Sequence, residues 1–226
     1  MRNIFLIIAL FVFINNQALF AEDSPKEENK KNELIFKARK SVLWLKHEDP
    51  ENKFPGSTIQ TKLSGEIYDV PKEIIDIKKK NVDRSTPSGA ITSYFSASEK
   101  GDLKWIVENF LNEEQEKLKS VLGKKTLKDS KSGAQGIDAK YITGHANYNG
   151  YTIIFVEQQY SDDRKVTEAI ACKKTDDGWR LTNSLSEDKT FDIVFAALNS
   201  GEVTSGNKRI GFLGPIINKP IIELVR

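Results

Sequence analysis

Apolar and polar residues alternate most regularly between Ala139 and Leu185. Four runs separated by turn residues predict an antiparallel meander: Ala139–Tyr148, Tyr151–Tyr160, Arg164–Lys174 and Trp179–Leu185. Asn149-Gly150 is the strongest hairpin signal among the turns, because both residues tolerate positive φ. Asp162-Asp163 and Asp176-Asp177-Gly178 supply the other two turns.

Upstream the period changes to that of a helix. Ser85-Thr86-Pro87 offers a serine or threonine hydroxyl cap followed by a residue whose missing N–H costs nothing in a first turn. Ala90, Ile91, Tyr94 and Phe95 then recur at helical spacing until Lys100-Gly101. Asp102 caps a second helix carrying Leu103, Ile106, Val107 and Phe110, continued by Asn112–Leu122. Lys124–Gly136 is a polar connector. Glu187–Leu198 predicts one more helix, with Phe191, Val194, Phe195 and Leu198 on one side.

The flanks are less regular. In Glu33–Lys46 the residues Ile35, Ala38, Val42 and Leu45 fit a helical stripe, whereas Leu34, Phe36 and Ala38 fit a strand; the helical spacing is preferred. Ser57–Tyr68 alternates as a strand, or as a hairpin about Ser64-Gly65, and Pro71–Lys80 fits a short helix or an edge strand. The apolar tail after Asn207 contains Pro215 and Pro220, which exclude a continuous helix, so a docked extended strap is expected.

The N-terminus changes the expected compartment. Arg2, the 11-residue apolar run Ile4–Ile14 and Ala21 have the pattern of a secretory signal over residues 1–21. The run is shorter than the ~20 residues a membrane span needs, and no cysteine follows to carry a lipid, so no stable membrane anchor is expected. A soluble periplasmic or extracellular protein follows. Residues 22–32 are charged or polar and read as a disordered leader. Charged residues make up 29% of the 226, but the net charge is only +2, which argues against nucleic acid as a partner. Cys172 is the one cysteine, so no internal disulfide forms, and its mid-strand position predicts a buried, inert thiol. With two histidines and that cysteine, a zinc site is not expected, and no motif calls for a cofactor.

The order of elements resembles a known family. Pro87-Ser88-Gly89-Ala90-Ile91-Thr92-Ser93-Tyr94-Phe95, then Glu99-Lys100-Gly101-Asp102-Leu103, followed by the meander, looks like an exported bacterial member of the nuclear transport factor 2-like (cystatin-like cone) superfamily. The resemblance covers about Ser85–Leu185. It implies an α+β fold with helices packed on a strongly curved antiparallel sheet, an N-terminal extension over 33–84, a domain over 85–200 and a strap over 201–226. The superfamily hosts many activities, so the fold leaves function open.

Faces of the meander give the candidate sites. If Tyr148 pairs with Tyr151 and a four-residue turn spans Ser161–Arg164, then Ile153, Phe155, Glu157 and Gln159 share a face with Val166, Glu168, Ile170, Cys172 and Asn183. This more apolar face is expected to receive the helices. Glu157 and Glu168 then oppose each other, with Gln159 and Asn183 nearby. A buried pair of carboxylates would raise one pKa and create a general acid or base. Set against this is an exposed end of the sheet with both carboxylates in water, the ordinary place for glutamate. The other face carries His145 and a small apolar centre of Ile154, Val156, Ala169 and Ala171, expected to be a homodimer contact or to be covered by a flanking segment.

Three functions follow as expectations. The first is non-catalytic binding of a small ligand or protein partner through a pocket or sheet face. The second is a lyase or isomerase with a pocket glutamate as base, and the third a structural or assembly subunit.

Overall fold

Leu34, Phe36 and Ala38 are completely buried while their neighbours are not, so Glu33–Arg39 is a strand and not the expected helix. The computed structural model describes residues 33–39, 58–122 and 136–211, with the backbone of 221–223. The proposed signal at 1–21, the leader at 22–32 and most of the connector lie outside these residues.

The elements in order are β1 (Glu33–Arg39), β2 (Thr58–Glu73), a 3-10 turn at Lys79–Asn81, α1 (Pro87–Lys100), α2 (Leu103–Glu108), α3 (Asn112–Val121), β3 (Ile137–Tyr148), β4 (Tyr151–Tyr160), β5 (Lys165–Thr175), β6 (Gly178–Leu181), α4 (Lys189–Ser200), β7 (Glu202–Ser205), β8 (Lys208–Gly211) and β9 (Ile221–Glu223). The fold is α+β. One sheet runs β6-β5-β4-β3-β2-β1-β7-β8, antiparallel throughout, with β9 added parallel to β2. It is open: β6 and β8 lie at opposite ends, so no strongly curved cone is closed.

The meander forms at the expected places. Tyr148 pairs with Tyr151 across Asn149-Gly150, whose φ values are 48° and 77°. The next turn differs from the expected four residues. Asp163 adopts a left-handed φ of 62°, Tyr160 N donates to Arg164 O at 2.9 Å, and the loop closes in three residues. Gln159 therefore pairs with Lys165, Val156 with Glu168 and Glu157 with Thr167. A one-residue change of register exchanges the faces of a whole strand. A bulge in β3 between Ile142 and Gly144 makes a similar change, setting Ile142 opposite Val156.

Both faces are consequently cores. Ile154, Val156, Ile142, Cys172 and Leu181 lie beneath α1–α3, among Ile91, Phe95, Trp105 and Val107. Ile153, Phe155, Ala146 and Ala171 lie on the opposite face with β1 and α4, among Phe36, Leu63, Val194 and Ala197. The expected faces are therefore mixed: Ile142, Ile170, Cys172 and Leu181 meet the helices 87–121 as expected, whereas Ile153 and Phe155, expected with them, turn to α4, and Ile154 and Val156, expected on the other face, take their place. On α4, Phe195 is exposed, unlike its predicted neighbours Val194 and Leu198.

Local chemistry holds the helices as expected. Thr86 accepts from Gly89 N at 3.1 Å, and a Cβ on Gly89 would lie 2.0 Å from Asp83 O. Gly101 ends α1 at φ 62°, and Asp102 accepts from Trp105 N at 3.0 Å. The buried Trp105 indole donates to Ser93 Oγ at 2.9 Å. Asp188 caps α4 through the N–H groups of Thr190 and Phe191, and Tyr148 donates to its other oxygen at 2.8 Å, tying the helix to the first hairpin.

The region 33–84 supplies β1 and β2. No hairpin forms at Ser64-Gly65; β2 runs straight through, and a Cβ on Gly65 would meet His145 O at 2.2 Å. Ile67 pairs with Gly144 and Lys72 with Ile142, so Tyr68–Pro71 bow out of the ladder, where Pro71 needs no N–H partner. From the tail, β7 and β8 extend the sheet beyond β1, and β9 pairs with Thr58–Gln60.

Phe36 meets Phe155 edge to face at 5.8 Å between centroids. Phe36→Ala is expected to cost about 3–5 kcal/mol, the usual range for a buried phenylalanine. Urea unfolding followed by tryptophan fluorescence measures this, and a loss below about 1 kcal/mol would place β1 outside the core.

Candidate functional site

Beside the α1–α3 layer lies a cleft of about 250 Å³ lined by Glu114, Lys117 and Leu118 from α3 and by Asn183, Ser184, Ser186 and Glu187 after β6. Spacing of three and four residues puts the α3 side chains on one helical face. Leu118 is buried at its base, and Leu185, buried in the opposite core, anchors the facing segment. Ser186 N donates to Asn183 O at 2.9 Å, and Asp188 N to Leu185 O at 3.0 Å, so this segment is a defined turn.

Glu114 holds the two walls together. Its Oε1 accepts from Thr182 Oγ1 at 2.5 Å, Asn183 N at 3.1 Å and Ser184 Oγ at 3.2 Å; Oε2 also lies 3.1 Å from Asn183 N. That carboxylate is occupied. Among the described residues the Asn183 amide, the Ser186 hydroxyl, the Lys117 ammonium and the Glu187 carboxylate remain to meet a ligand. Together they offer donors, acceptors and both charges. Drug-sized ligands occupy about 300–1,000 Å³, so this cleft accommodates a small polar molecule.

Only Asn183 of the four expected pocket residues lines the cleft. Glu157 and Glu168 are on opposite faces, not opposed across one, because of the three-residue turn at Asp163. Glu157 accepts from Gln159 Nε2 at 2.8 Å and Lys165 Nζ at 3.0 Å, a small surface network on the α4 side. Glu168 lies on the α1 side with Gln158, Tyr94 and Tyr160 for neighbours. Burial raises its carboxyl pKa, and a hydrogen bond with Gln158 partly offsets this. Burial, assisted by Glu168, pushes the Tyr94 phenol up to about 12. Glu168 has the desolvation needed of an acid or base, but it is not among the residues lining the cleft.

The expected interface patch is not one surface. Ile154 and Val156 are buried under the helices, and Ala171 is buried on the opposite face, where Ala169 packs against the same core. His145 is half-buried beside β2, its Nδ1 3.2 Å from Tyr68 Oη, and burial lowers its pKa. Burial also pushes the Cys172 thiol up to about 12. Among the described residues no His, Cys, Asp and Glu cluster could hold a metal ion, and no helix is long and apolar enough to cross a membrane.

Glu114, Lys117, Ser184, Ser186 and Glu187 were not singled out in the sequence. The only local signal is a polar run, Thr182-Asn183-Ser184, directly after an apolar strand, with an acid in the first turn of α3.

No family model matches the chain, nor does any curated protein. Among solved structures the chain is similar to a SEC-C motif containing protein from Rhodopseudomonas palustris, at 11% identity and a TM-score of 0.33, over 46% of this chain and 80% of that one. The resemblance to the nuclear transport factor 2-like cone is corrected: no family model matches the chain, and the sheet is open, with strand β1 and helix α4 forming a second core.

Two outcomes follow. A carboxyl with a raised folded-state pKa stabilises most below its ordinary value of 4.5, and that contribution is lost as pH rises through the raised value. Glu168→Gln is expected to gain stability relative to the parent protein as pH rises above 4.5, read from urea midpoints across a pH series. Cys172 is expected to resist a thiol reagent such as dithionitrobenzoate in the native state and to react fully in urea; rapid native labelling would contradict its burial.

Proposed function

We propose that the protein is a non-catalytic binding protein that takes a small polar ligand in the cleft between α3 and the segment 183–187. The observation that carries this reading is the set of side chains around the cleft: Asn183, Ser186, Lys117 and Glu187 face it, while Glu114 is consumed in holding the walls. A preformed wall lowers the ordering cost of binding. The Arg2, Ile4–Ile14 and Ala21 pattern supports placing this binding outside the cytoplasm.

A second reading, acid–base catalysis of a lyase or isomerase type, is favoured by the desolvated Glu168 beside Tyr94. It ranks below the first because a base must lie within hydrogen-bond reach of a bound substrate, and the cleft is lined by other residues.

Saturation-transfer NMR with free amino acids and polyols as probes tests the binding reading. Probes that bind the protein are expected to weaken roughly two- to tenfold with Asn183→Ala, the loss of one hydrogen bond. Absence of any bound probe, or equal binding by the variant, counts against the cleft. Turnover of such a probe that vanishes with Glu168→Gln would favour catalysis instead.

A further inference from the structure

β5 is longer than its outer neighbour. β6 pairs only with Cys172–Thr175, and Thr182 N then donates to Ala171 O at 3.0 Å. Among the described residues no strand pairs with the outer edge from Lys165 to Ile170. Ala171 turns its carbonyl outward, so Thr167 and Ala169, at two-residue intervals along the strand, turn their N–H and C=O groups the same way. All of Val166–Ile170 are partly exposed.

Natural sheets protect such edges with short strands, charge, proline or bulges. β8, at the other end, has four residues and carries Lys208 and Arg209. The open part of β5 is a β-prone Val-Thr-Glu-Ala-Ile run without proline or glycine. Lys165, at the start of this edge, turns to Glu157 on the α4 face at 3.0 Å, which leaves half-buried Glu168, beside Gln158, Tyr94 and Tyr160, as the charge within the run.

We propose that the β5 edge from Lys165 to Ile170 is a docking edge for an extended peptide of a protein partner, which adds there as a strand with a lysine or arginine set against Glu168. Two arguments select this occupant. A stable dimer interface uses about 20–30 residues a side, far more than this edge provides, whereas strands of about 5–6 residues are the common length. Cross-strand neighbours also favour opposite charge, and a second copy paired about this segment would bring another Glu168 to the same short edge. Outward backbone groups supply the affinity; Val166 and Ile170, on the same face as Glu168, select apolar residues on either side of the cation. This docking is independent of the small-ligand cleft.

The probe is a capped heptapeptide Thr-Val-Thr-Lys-Thr-Val-Thr, compared with one in which glutamate replaces lysine. Titration of the isotope-labelled protein is expected to give saturable amide shifts and slowed exchange at Thr167 and Ala169, with the lysine peptide about tenfold tighter. Thr167→Pro removes an outward N–H while leaving the β4 ladder intact, and is expected to abolish binding. Should that variant unfold, Glu168→Lys keeps the test alive: it is expected to reverse the preference between the two peptides. No saturable shift with either peptide, shifts confined to Asn183–Glu187, or an unchanged preference in Glu168→Lys overturns the proposal. Thr167 and Ala169 amides already protected in the free protein, with a mass that doubles on concentration, would identify a second copy and overturn it as well.

Discussion

The register of β4 is the constraint on which both cores rest. Ile153-Ile154-Phe155-Val156 is buried without interruption, and strand geometry sends alternate members to opposite sides. Ile154 and Val156 complete the layer beneath α1–α3; Ile153 and Phe155 complete the one shared by β1 and α4. A slip of one residue would exchange these pairs and mismatch both layers at once. The Asn149-Gly150 turn sets that register at one end of β4, and the three-residue turn at Asp163 sets it at the other.

Much of the fold could be read from residues whose chemistry is local. Thr86-Pro87, Gly101, Asp102 and Asn149-Gly150 act on neighbours within a few positions, and each does in the structure what its type implies. What could not be read was pairing at a distance. β1 looked as much like a helix as a strand because seven residues carry too little period to decide, and its alternation acquires meaning only once β2 and β7 lie beside it. An unbroken apolar run such as Ile153–Val156 was a missed sign of burial on both faces. The expected single-sided sheet followed from assigning that run to one face and a small apolar patch.

The candidate site shows the same division more sharply. Asn183 was legible as a polar residue emerging from an apolar strand, but its partner Glu114 lies 69 positions away. The opposed glutamates failed on one turn residue: Asp163 in a left-handed conformation shortens the loop and sends Glu168 to the face opposite Glu157. Aspartate visits that conformation far less readily than glycine, so the four-residue turn was the more natural expectation. Separated, the two carboxylates have different fates. Glu157 is neutralised by Lys165 at the surface, and Glu168 is half-buried beside Gln158, Tyr94 and Tyr160.

That separation connects the fold to function. Because β6 ends early, the chain leaves the sheet at Thr182, and this departure creates the turn that faces α3 as well as the stretch of β5 that has no outer partner strand among the described residues. Glu114 stabilises the departure by binding Thr182, Asn183 and Ser184 together and so fastening the segment to the first turn of α3. A carboxylate in the first turn of a helix is also favoured by the helix dipole, which strengthens the same latch. Among the described residues, the cleft and the unpaired edge are therefore two consequences of one short strand.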